Sequence, residues 1–170
     1  RKEAFDVVYS SGVLHHTKDP RDSFASIAQL ARPNGLIVIG LYNLFARIPL
    51  RLRRMVARAT GFRFIPFDPV LRDRASEPER RRAWLRDQYR HPEEHCHTLK
   101  EVQRWFADSG VEYLRAYPSA LMEEDEAPLL APAEDSWDFE HLLAQISWMH
   151  TLGHEGGLFM MLGRRRKSPT

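Results

Sequence analysis

The chain has 170 residues, of which 43% are hydrophobic and 28% are charged, an ordinary composition for a globular protein with one core. The formal net charge of +2, from 25 basic and 23 acidic residues, argues against a protein that binds nucleic acid over its whole surface. The single cysteine, Cys96, excludes an internal disulfide, and no apolar run approaches the ~20 residues that span a bilayer. These features predict a cytoplasmic protein.

The first predicted element is a strand in the segment FDVVYSSG, which begins at Phe5. Its near-continuous apolar run is typical of a strand that is covered on both faces. Three small residues, Ser10, Ser11 and Gly12, follow at its carboxyl end and leave space there. In open α/β sheets, ligands bind in the crevice outside the carboxyl ends of the strands. The sequence therefore predicts one wall of a ligand pocket at this position.

A helix and a second strand follow the first strand. Asp19 is a predicted N-cap, with Pro20 at the first helical position. The RPNG segment (32–35) is expected to end this helix, and the apolar, β-branched segment 36–42 is the second predicted strand. A strand, a short helix and a strand make a compact crossover unit, so the two strands are predicted to pair in parallel.

The remaining chain is predicted to alternate between helices and strands. In order, the predicted elements are a basic amphipathic helix (44–60), a polar helix (77–89), a helix capped by Thr98 (98–110), a strand (111–118), a helix (139–151) and a strand within GGLFMMLGRRR. An acidic, proline-containing loop (123–135) separates the last helix from the strand before it. The tail, 164–170, is expected to be frayed.

Three segments of this sequence carry a resemblance to a known family. FDVVYSSGVLHHTKDP, LARPNGLIVIGLYN and HTLKEVQRWFADSGVEYLRAYP resemble the C-terminal half of a class I S-adenosylmethionine-dependent methyltransferase, and are most similar to the methyltransferase type 11 group. The resemblance implies an α/β, Rossmann-like sheet flanked by helices, here the half with strand order 4-5-7-6 and an antiparallel strand 7. A nicotinamide-dependent enzyme would instead be expected to continue with a parallel sixth strand.

The resemblance also implies which part of the family domain this chain supplies. No G-x-G-x-x-G loop occurs in the sequence, so the chain is expected to be a fragment that lacks the glycine-rich half and is inactive alone. Its first strand would then be an open apolar edge and an aggregation site. The implied division is a C-terminal part of the cofactor-binding core (1–43), a substrate-recognition insertion (44–97) and a completion of the core (98–163).

The cofactor that the resemblance implies is S-adenosylmethionine, and the acceptor is expected to be a small molecule or a lipid-like precursor. Methyl transfer from a sulfonium is an in-line displacement in which the protein mainly aligns the reactants and excludes water. Five consecutive residues are expected to bind the cofactor, because small side chains let it approach the backbone and apolar ones cover it: Ser10, Ser11, Gly12, Val13 and Leu14.

Two histidines and the end of the second strand are candidates for contact with the acceptor. His15 or His16 could face the pocket as a hydrogen-bond partner or a general base, since the pKa of histidine lies near neutrality. Alternatively, both satisfy backbone groups in the loop, and no dedicated base is needed. Tyr42 and Asn43 either contact the acceptor or form a capped turn.

The segment DQYRHPEEHCH (87–97) concentrates polar residues that suit a substrate-binding loop, with Asp87, Tyr89 and His91 as the candidate contacts. A metal site is the alternative, with four ligands: His91, His95, Cys96 and His97. Those residues lack the separated pairs that a tetrahedral site normally uses, so no metal site is predicted.

Four arginines of the basic helix recur at spacings of four, three and four, and therefore share one face: Arg47, Arg51, Arg54 and Arg58. An adjoining stripe is apolar and contains Ile48, Leu52, Met55 and Ala59. The simpler interpretation is a solvated face of an amphipathic helix. The alternative function is a non-catalytic methyltransferase-like module that binds RNA or an anionic membrane through this arginine face.

Overall fold

The computed structural model describes residues 2–73, 76–90, 94–120, 128–131, 138–152 and 157–167. Within these residues the strands are β1 (Phe5–Ser11), β2 (Ala31–Asn43), β3 (Cys96–His97), β4 (Val111–Tyr117) and β5 (Leu158–Arg165). The helices are α1 (Pro20–Ala28), α2 (Ile48–Ala59), α3 (Pro69–Asp73), α4 (Pro78–Arg90), α5 (Leu99–Asp108) and α6 (Asp138–Thr151), with a short 3-10 helix at Leu14–His16.

The sheet has the strand order β1-β2-β5-β4, with the short strand β3 pairing to the end of β2. β1 and β2 pair in parallel, which confirms the predicted crossover unit. β5 lies between β2 and β4 and runs antiparallel to both. The neighbours of the four long strands and the direction of β5 agree with the order expected from the resemblance.

The main core lies on one face of this sheet. Ile39 and Leu41 of β2 are directly opposite Met161 and Phe159 of β5, and all four side chains are buried. Helices cover this face: the aromatic rings of Phe24 in α1 and Phe106 in α5 stack with centroids 5.0 Å apart, and Trp148 in α6 lies 5.7 Å from Phe159. The burial of these large side chains holds α1, α5 and α6 against the sheet.

The expectation that the first strand is covered on both faces is wrong for this structure. Val8 packs against the core, but Phe5, Val7 and Tyr9 are each more than half exposed. These three residues point to the opposite face because side chains alternate along a strand, and no described element covers that face of β1. β1 is also an edge of the described sheet, as expected.

The local signals for helix ends are confirmed. The Asp19 carboxylate accepts a hydrogen bond from the Asp22 N–H at 2.9 Å, and the Thr98 hydroxyl accepts one from the Glu101 N–H at 3.2 Å. Gly110, which follows α5, has a φ of +67°. The Asp19 and Thr98 side chains accept from backbone N–H groups at the start of a helix, and Gly110 ends one. These features depend on residues only a few positions apart, so the sequence alone predicts them.

Two expected boundaries are wrong. The RPNG segment lies within β2, because Phe5 pairs with Ala31 and Val7 already pairs with Leu36, so residues 32–35 form a bulge in the strand. The tail does not begin at Arg164, since β5 continues to Arg165. Most of the acidic loop, residues 123–127 and 132–135, lies outside the described residues.

Gly163 of β5 provides a test of how tightly the sheet and α5 pack. A Cβ atom at this position would lie 2.6 Å from the Phe106 ring, 2.6 Å from Val111 and 2.8 Å from the Glu112 carbonyl oxygen. Because backbone cannot yield as a flexible side chain can, we expect Gly163→Ala to lower the free energy of unfolding by about 1–3 kcal/mol. Urea denaturation checks this value. An unchanged unfolding midpoint would contradict the close packing.

Candidate active site

The carboxyl ends of β1 and β2 lie side by side and leave open space. Ser11 pairs with Gly40, and the Gly12 N–H donates to the Gly40 carbonyl at 3.2 Å. A Cβ atom on Gly40 would collide with the Ser11 side chain, so this close approach requires glycine. Gly12 has a φ of +74°, and a Cβ atom there would meet nothing within 4 Å. The space that the sequence predicted at this edge is therefore present.

Three aromatic rings meet at the same edge. The ring centroids of His15 and Tyr42 are 4.1 Å apart, and those of His15 and His16 are 4.2 Å apart. His15 is completely buried, whereas His16 is exposed. The backbone carbonyl of His15 accepts a hydrogen bond from the His95 N–H at 3.0 Å, which ties this turn to the insertion. The structure thus brings together the two predicted histidines and the predicted tyrosine, with His16 on the solvent side.

Beneath this cluster lies a buried ionic network. The Arg47 guanidinium carbon is 3.7 Å from the Tyr42 ring centroid, a cation–π contact. Arg47 is only 1% exposed, and it lies 2.5 Å from the Glu94 carboxylate and donates to the Gln88 side chain at 2.6 Å. A second guanidinium, that of Arg54, lies 2.9 Å from Glu94. The single buried carboxylate of Glu94 therefore pairs with two arginines, Arg54 in α2 and Arg47 at the N-cap of α2.

The expectation that four arginines form one solvated face is wrong. Arg47 and Arg54 point inward to Glu94, a residue about forty positions away in the sequence. The exposed residues of α2 are Ile48, Arg51, Leu52, Met55, Val56, Arg58 and Ala59. Because most of the expected apolar stripe faces solvent, the helix is turned by its ion pairs rather than by its apolar residues.

Asn43 forms a capped turn, the second of the two alternatives. Its Oδ1 accepts from the N–H groups of Phe45 and Ala46 at 2.9 and 3.1 Å, and its Nδ2 donates to Gln145 Oε1 at 2.9 Å. The side chain is fully buried. Its polar atoms are thus committed to holding the end of β2 against α6.

The other predicted contacts lie elsewhere. Tyr89 is buried in a second, smaller core within the insertion and donates its hydroxyl proton to Asp68. Burial first, and then Asp68, raises the pKa of Tyr89, so the phenol stays protonated. Leu14 belongs to the main core, so its side chain does not face the open edge. The side chain of Asp87 and the whole of His91 lie outside the described residues.

His97 and Glu101 form a pair beside the ring cluster. His97 Nδ1 lies 2.9 Å from Glu101 Oε1, and His97 is almost fully buried. Burial alone would raise the pKa of Glu101, but the hydrogen bond and charge of His97, with the Thr98 capping interaction, outweigh burial and lower it. Within the described part of the chain, no group of three or more His, Cys, Asp or Glu side chains could hold a metal ion.

Sequence reasoning missed the Arg47–Glu94 pair and the role of Gln88. The periodicity of the basic helix indicates where its arginines lie relative to each other, but not which side faces the protein. Glu94 lies in a run of acidic and histidine residues that indicates a substrate-binding loop and gives no sign of a buried ion pair. No local signal joins residues this far apart in the chain.

A family model described as a methyltransferase domain matches residues 1–116, which is more than half of the chain. The chain belongs to the methyltransferase domain family. The matched region contains the open edge, the ring cluster, the ionic network and almost all of β4. Membership confirms the resemblance seen in the sequence and implies S-adenosylmethionine as the methyl donor.

Individual relatives of this methyltransferase domain are distant. The uncharacterized protein syc1184_c of Synechococcus sp. is 28% identical over an alignment of 131 residues, and the match covers 65% of this chain and 31% of that protein. PKMT2 from Rickettsia typhi in complex with AdoHcy is 14% identical, with a TM-score of 0.55 over 98% of this chain and 37% of that one. This likeness shows the fold, and the chain spans about a third of either protein.

A third similar structure is an S-adenosylmethionine-dependent methyltransferase from Mesorhizobium loti. It is 19% identical, with a TM-score of 0.47, and the match covers 97% of this chain and 63% of that one.

Among the described helices of the present methyltransferase domain, none is long and apolar enough to cross a membrane.

The ionic network provides a stability test. Glu94→Gln removes the carboxylate that compensates Arg47 and Arg54, and breaking a buried ion pair typically costs about 3–5 kcal/mol of unfolding free energy. Glu77→Gln is the matched control, because Glu77 pairs with Arg80 at 2.9 Å on the surface. We expect the control to change stability by about 1 kcal/mol or less. Equal effects of the two substitutions in urea denaturation would contradict the proposed compensation.

The Glu101 carboxylate provides a pH test. Its pKa is lowered from 4.5 in the folded chain, so the stability it contributes is present above about pH 4.5 and is lost as the pH falls through the folded pKa. Because the side chain is partly exposed, this contribution is expected to be about 1 kcal/mol or less. The unfolding free energies of the wild type and Glu101→Gln should therefore differ at pH 7 and converge at acid pH. A difference that persists at acid pH would contradict this assignment.

Proposed function

We propose that the protein containing this chain transfers a methyl group from S-adenosylmethionine to a small-molecule or lipid-like acceptor. The observation that carries the proposal is the match to the methyltransferase domain family across the open carboxyl ends of β1 and β2. Ligands of open α/β sheets bind at such an edge. The chain spans 31% of the length of its Synechococcus relative, and the proposal concerns the whole protein that contains the chain.

The residues of this edge fit the cofactor. Ser10 and Ser11 are small, Val13 is exposed, and Gly12 combines a positive φ with open space where a side chain would point. A ligand could therefore approach the backbone closely here. S-adenosylmethionine would supply a methyl group activated by a sulfonium. The contribution of this wall is to bind and orient the donor and to exclude water from it.

The acceptor side of the proposed site is the ring cluster. His16 is exposed and is therefore the histidine that would contact an acceptor, as a hydrogen-bond partner or as a base where the acceptor must lose a proton. His15 is buried against Tyr42, so its proposed role is to position that ring. Alignment alone is worth about 7–11 kcal/mol of the barrier, so the reaction does not depend on a base in every case.

The non-catalytic alternative receives less support. It requires the four arginines of α2 and its N-cap to present one basic face, but two of them are bound to Glu94 inside the protein. The remaining exposed pair, Arg51 and Arg58, flanks apolar residues on α2. We further propose a cytoplasmic location, from the single cysteine.

The test is binding of S-adenosylhomocysteine to the full-length protein, measured by calorimetry. We expect Gly12→Val to weaken binding by about tenfold or more, because the branched side chain would fill the space beside the backbone. Gly61→Val is the matched control: Gly61 also has a positive φ, +59°, and open space, but it lies after α2 in the insertion. Both variants strain the backbone similarly, and only the first should lose affinity. Equal losses, or no binding by the wild type, would contradict the proposed site.

A further inference from the structure

A second cavity lies within the insertion, apart from the ends of β1 and β2. It has a volume of about 680 Å³ and is bounded by the middle of α2, the segment 62–68, α3 and α4. None of the residues discussed at the candidate active site lines it, apart from Asp68, which Tyr89 contacts. Cavities of roughly 300–1,000 Å³ are typical of small-molecule sites. The insertion therefore contains a second cavity that is large enough for a small molecule.

The charge of this cavity is strongly positive. Four arginines line it: Arg53, Arg63, Arg72 and Arg81. Arg72 lies 3.7 Å from Asp73, whereas the guanidinium groups of the other three form no ion pair or hydrogen bond with any described residue. Planar guanidinium groups that lack internal partners are suited to bind phosphate or carboxylate through paired hydrogen bonds.

Asp68 is the acidic residue among the described lining residues, and its carboxylate is already engaged. It accepts hydrogen bonds from the Tyr89 hydroxyl, from the Trp84 indole at 3.2 Å and from the Leu71 N–H at 3.0 Å. These three donors occupy three of the roughly four acceptor sites of the carboxylate. Its single negative charge stands against four lining arginines. The positive charge of the cavity is therefore available to a ligand.

The other part of the lining is apolar, and its phenylalanines are exposed. Phe64 is 57% exposed and Phe67 is 93% exposed, unusual values for phenylalanine. Ile65, Leu71 and Leu85 line the same cavity. A ligand that buries these side chains would gain free energy in proportion to the apolar area removed from water. Cations and aromatic rings around one space match a ligand that has both an anionic group and an apolar group.

We propose that this cavity binds an anionic amphiphile, a molecule with a phosphate or carboxylate group attached to an apolar chain. The arginines bind the anion, and the phenylalanines cover the chain. The site adds to the proposed methyl transfer and does not depend on it. The cavity is joined to the ring cluster through adjacent residues of α4, because Tyr89 binds Asp68 and Gln88 binds Arg47, which contacts Tyr42.

The first experiment measures binding of octyl phosphate to the full-length protein by calorimetry, below the concentration at which it forms micelles. Inorganic phosphate presents the anion alone, and octyl glucoside presents the chain alone. We expect octyl phosphate to bind at least about tenfold more tightly than either, since both halves of the cavity contribute. Octyl phosphate binding no tighter than octyl glucoside or inorganic phosphate would overturn the proposal.

Paired variants locate the site. The double variant Arg63→Gln/Arg81→Gln removes two lining charges, and we expect it to weaken octyl phosphate binding by about tenfold or more. Arg51→Gln/Arg58→Gln removes the same charge from exposed positions of α2 outside the cavity, and is expected to change affinity by less than about twofold. All four residues are exposed, so both proteins should fold. Equal weakening by the two double variants would overturn the assignment to this cavity.

The same chemistry occurs in a free phosphate monoester and in a lipid head group, and vesicles distinguish them. Phosphatidylcholine vesicles with phosphatidic acid are compared for the wild type and Arg63→Gln/Arg81→Gln. Vesicle binding that falls in this variant, together with octyl phosphate binding, assigns the site to a lipid head group. Vesicle binding that is absent or unchanged, with octyl phosphate binding lost, assigns it to a soluble ligand.

S-adenosylhomocysteine binding, measured on the same proteins, separates this inference from the proposed methyl transfer. The Arg63→Gln/Arg81→Gln variant is expected to bind it as the wild type does, since neither arginine lies at the strand ends. A wild type that binds S-adenosylhomocysteine but not octyl phosphate would overturn the cavity assignment alone. A wild type that binds octyl phosphate but not S-adenosylhomocysteine would contradict the cofactor site alone.

Discussion

The arrangement of the candidate active site depends on one buried carboxylate, that of Glu94. Two guanidinium groups, those of Arg47 and Arg54, share it, and removing any of these charges from water carries a large desolvation cost. The excess positive charge is partly met by the Tyr42 ring and the Gln88 side chain. The position of Tyr42 at the end of β2 therefore depends on Glu94, which follows α4. The position of His15 depends on Glu94 as well, because His15 packs against Tyr42.

A second buried carboxylate organises the insertion in the same way. The Asp68 carboxylate accepts hydrogen bonds from Tyr89, from Trp84 and from the backbone N–H of Leu71, and so connects α3 and α4. The apolar residues around it form a cluster separate from the main core. The Arg47–Glu94 pair thus joins the insertion to the sheet through Tyr42, and the Asp68 hydrogen bonds join the helices within the insertion. This explains why a segment rich in arginine can be ordered with few buried apolar side chains.

The features that the sequence predicts correctly are those set by neighbouring residues. The caps at Asp19 and Thr98 involve contacts over three positions, and the parallel pairing of β1 and β2 follows from a short crossover. The grouping of His15, His16 and Tyr42 could also be anticipated, because both segments follow carboxyl strand ends. The inward turn of Arg47 could not, since it depends on Glu94, and the bulge at residues 32–35 depends on the register with Phe5.

The strand ends and the cavity of the insertion are shaped by different contacts, so the two proposed sites can change independently. The strand ends owe their shape to backbone pairing and small residues such as Ser11 and Gly12, which contribute no charge. The cavity owes its chemistry to exposed side chains of the insertion, including Arg63 and Phe67, which the main core does not contain. Substitutions there alter charge and shape without disturbing the sheet, because exposed side chains contribute little to stability. Ligand preference is therefore free to vary at these exposed positions of the insertion while the geometry at the strand ends stays fixed.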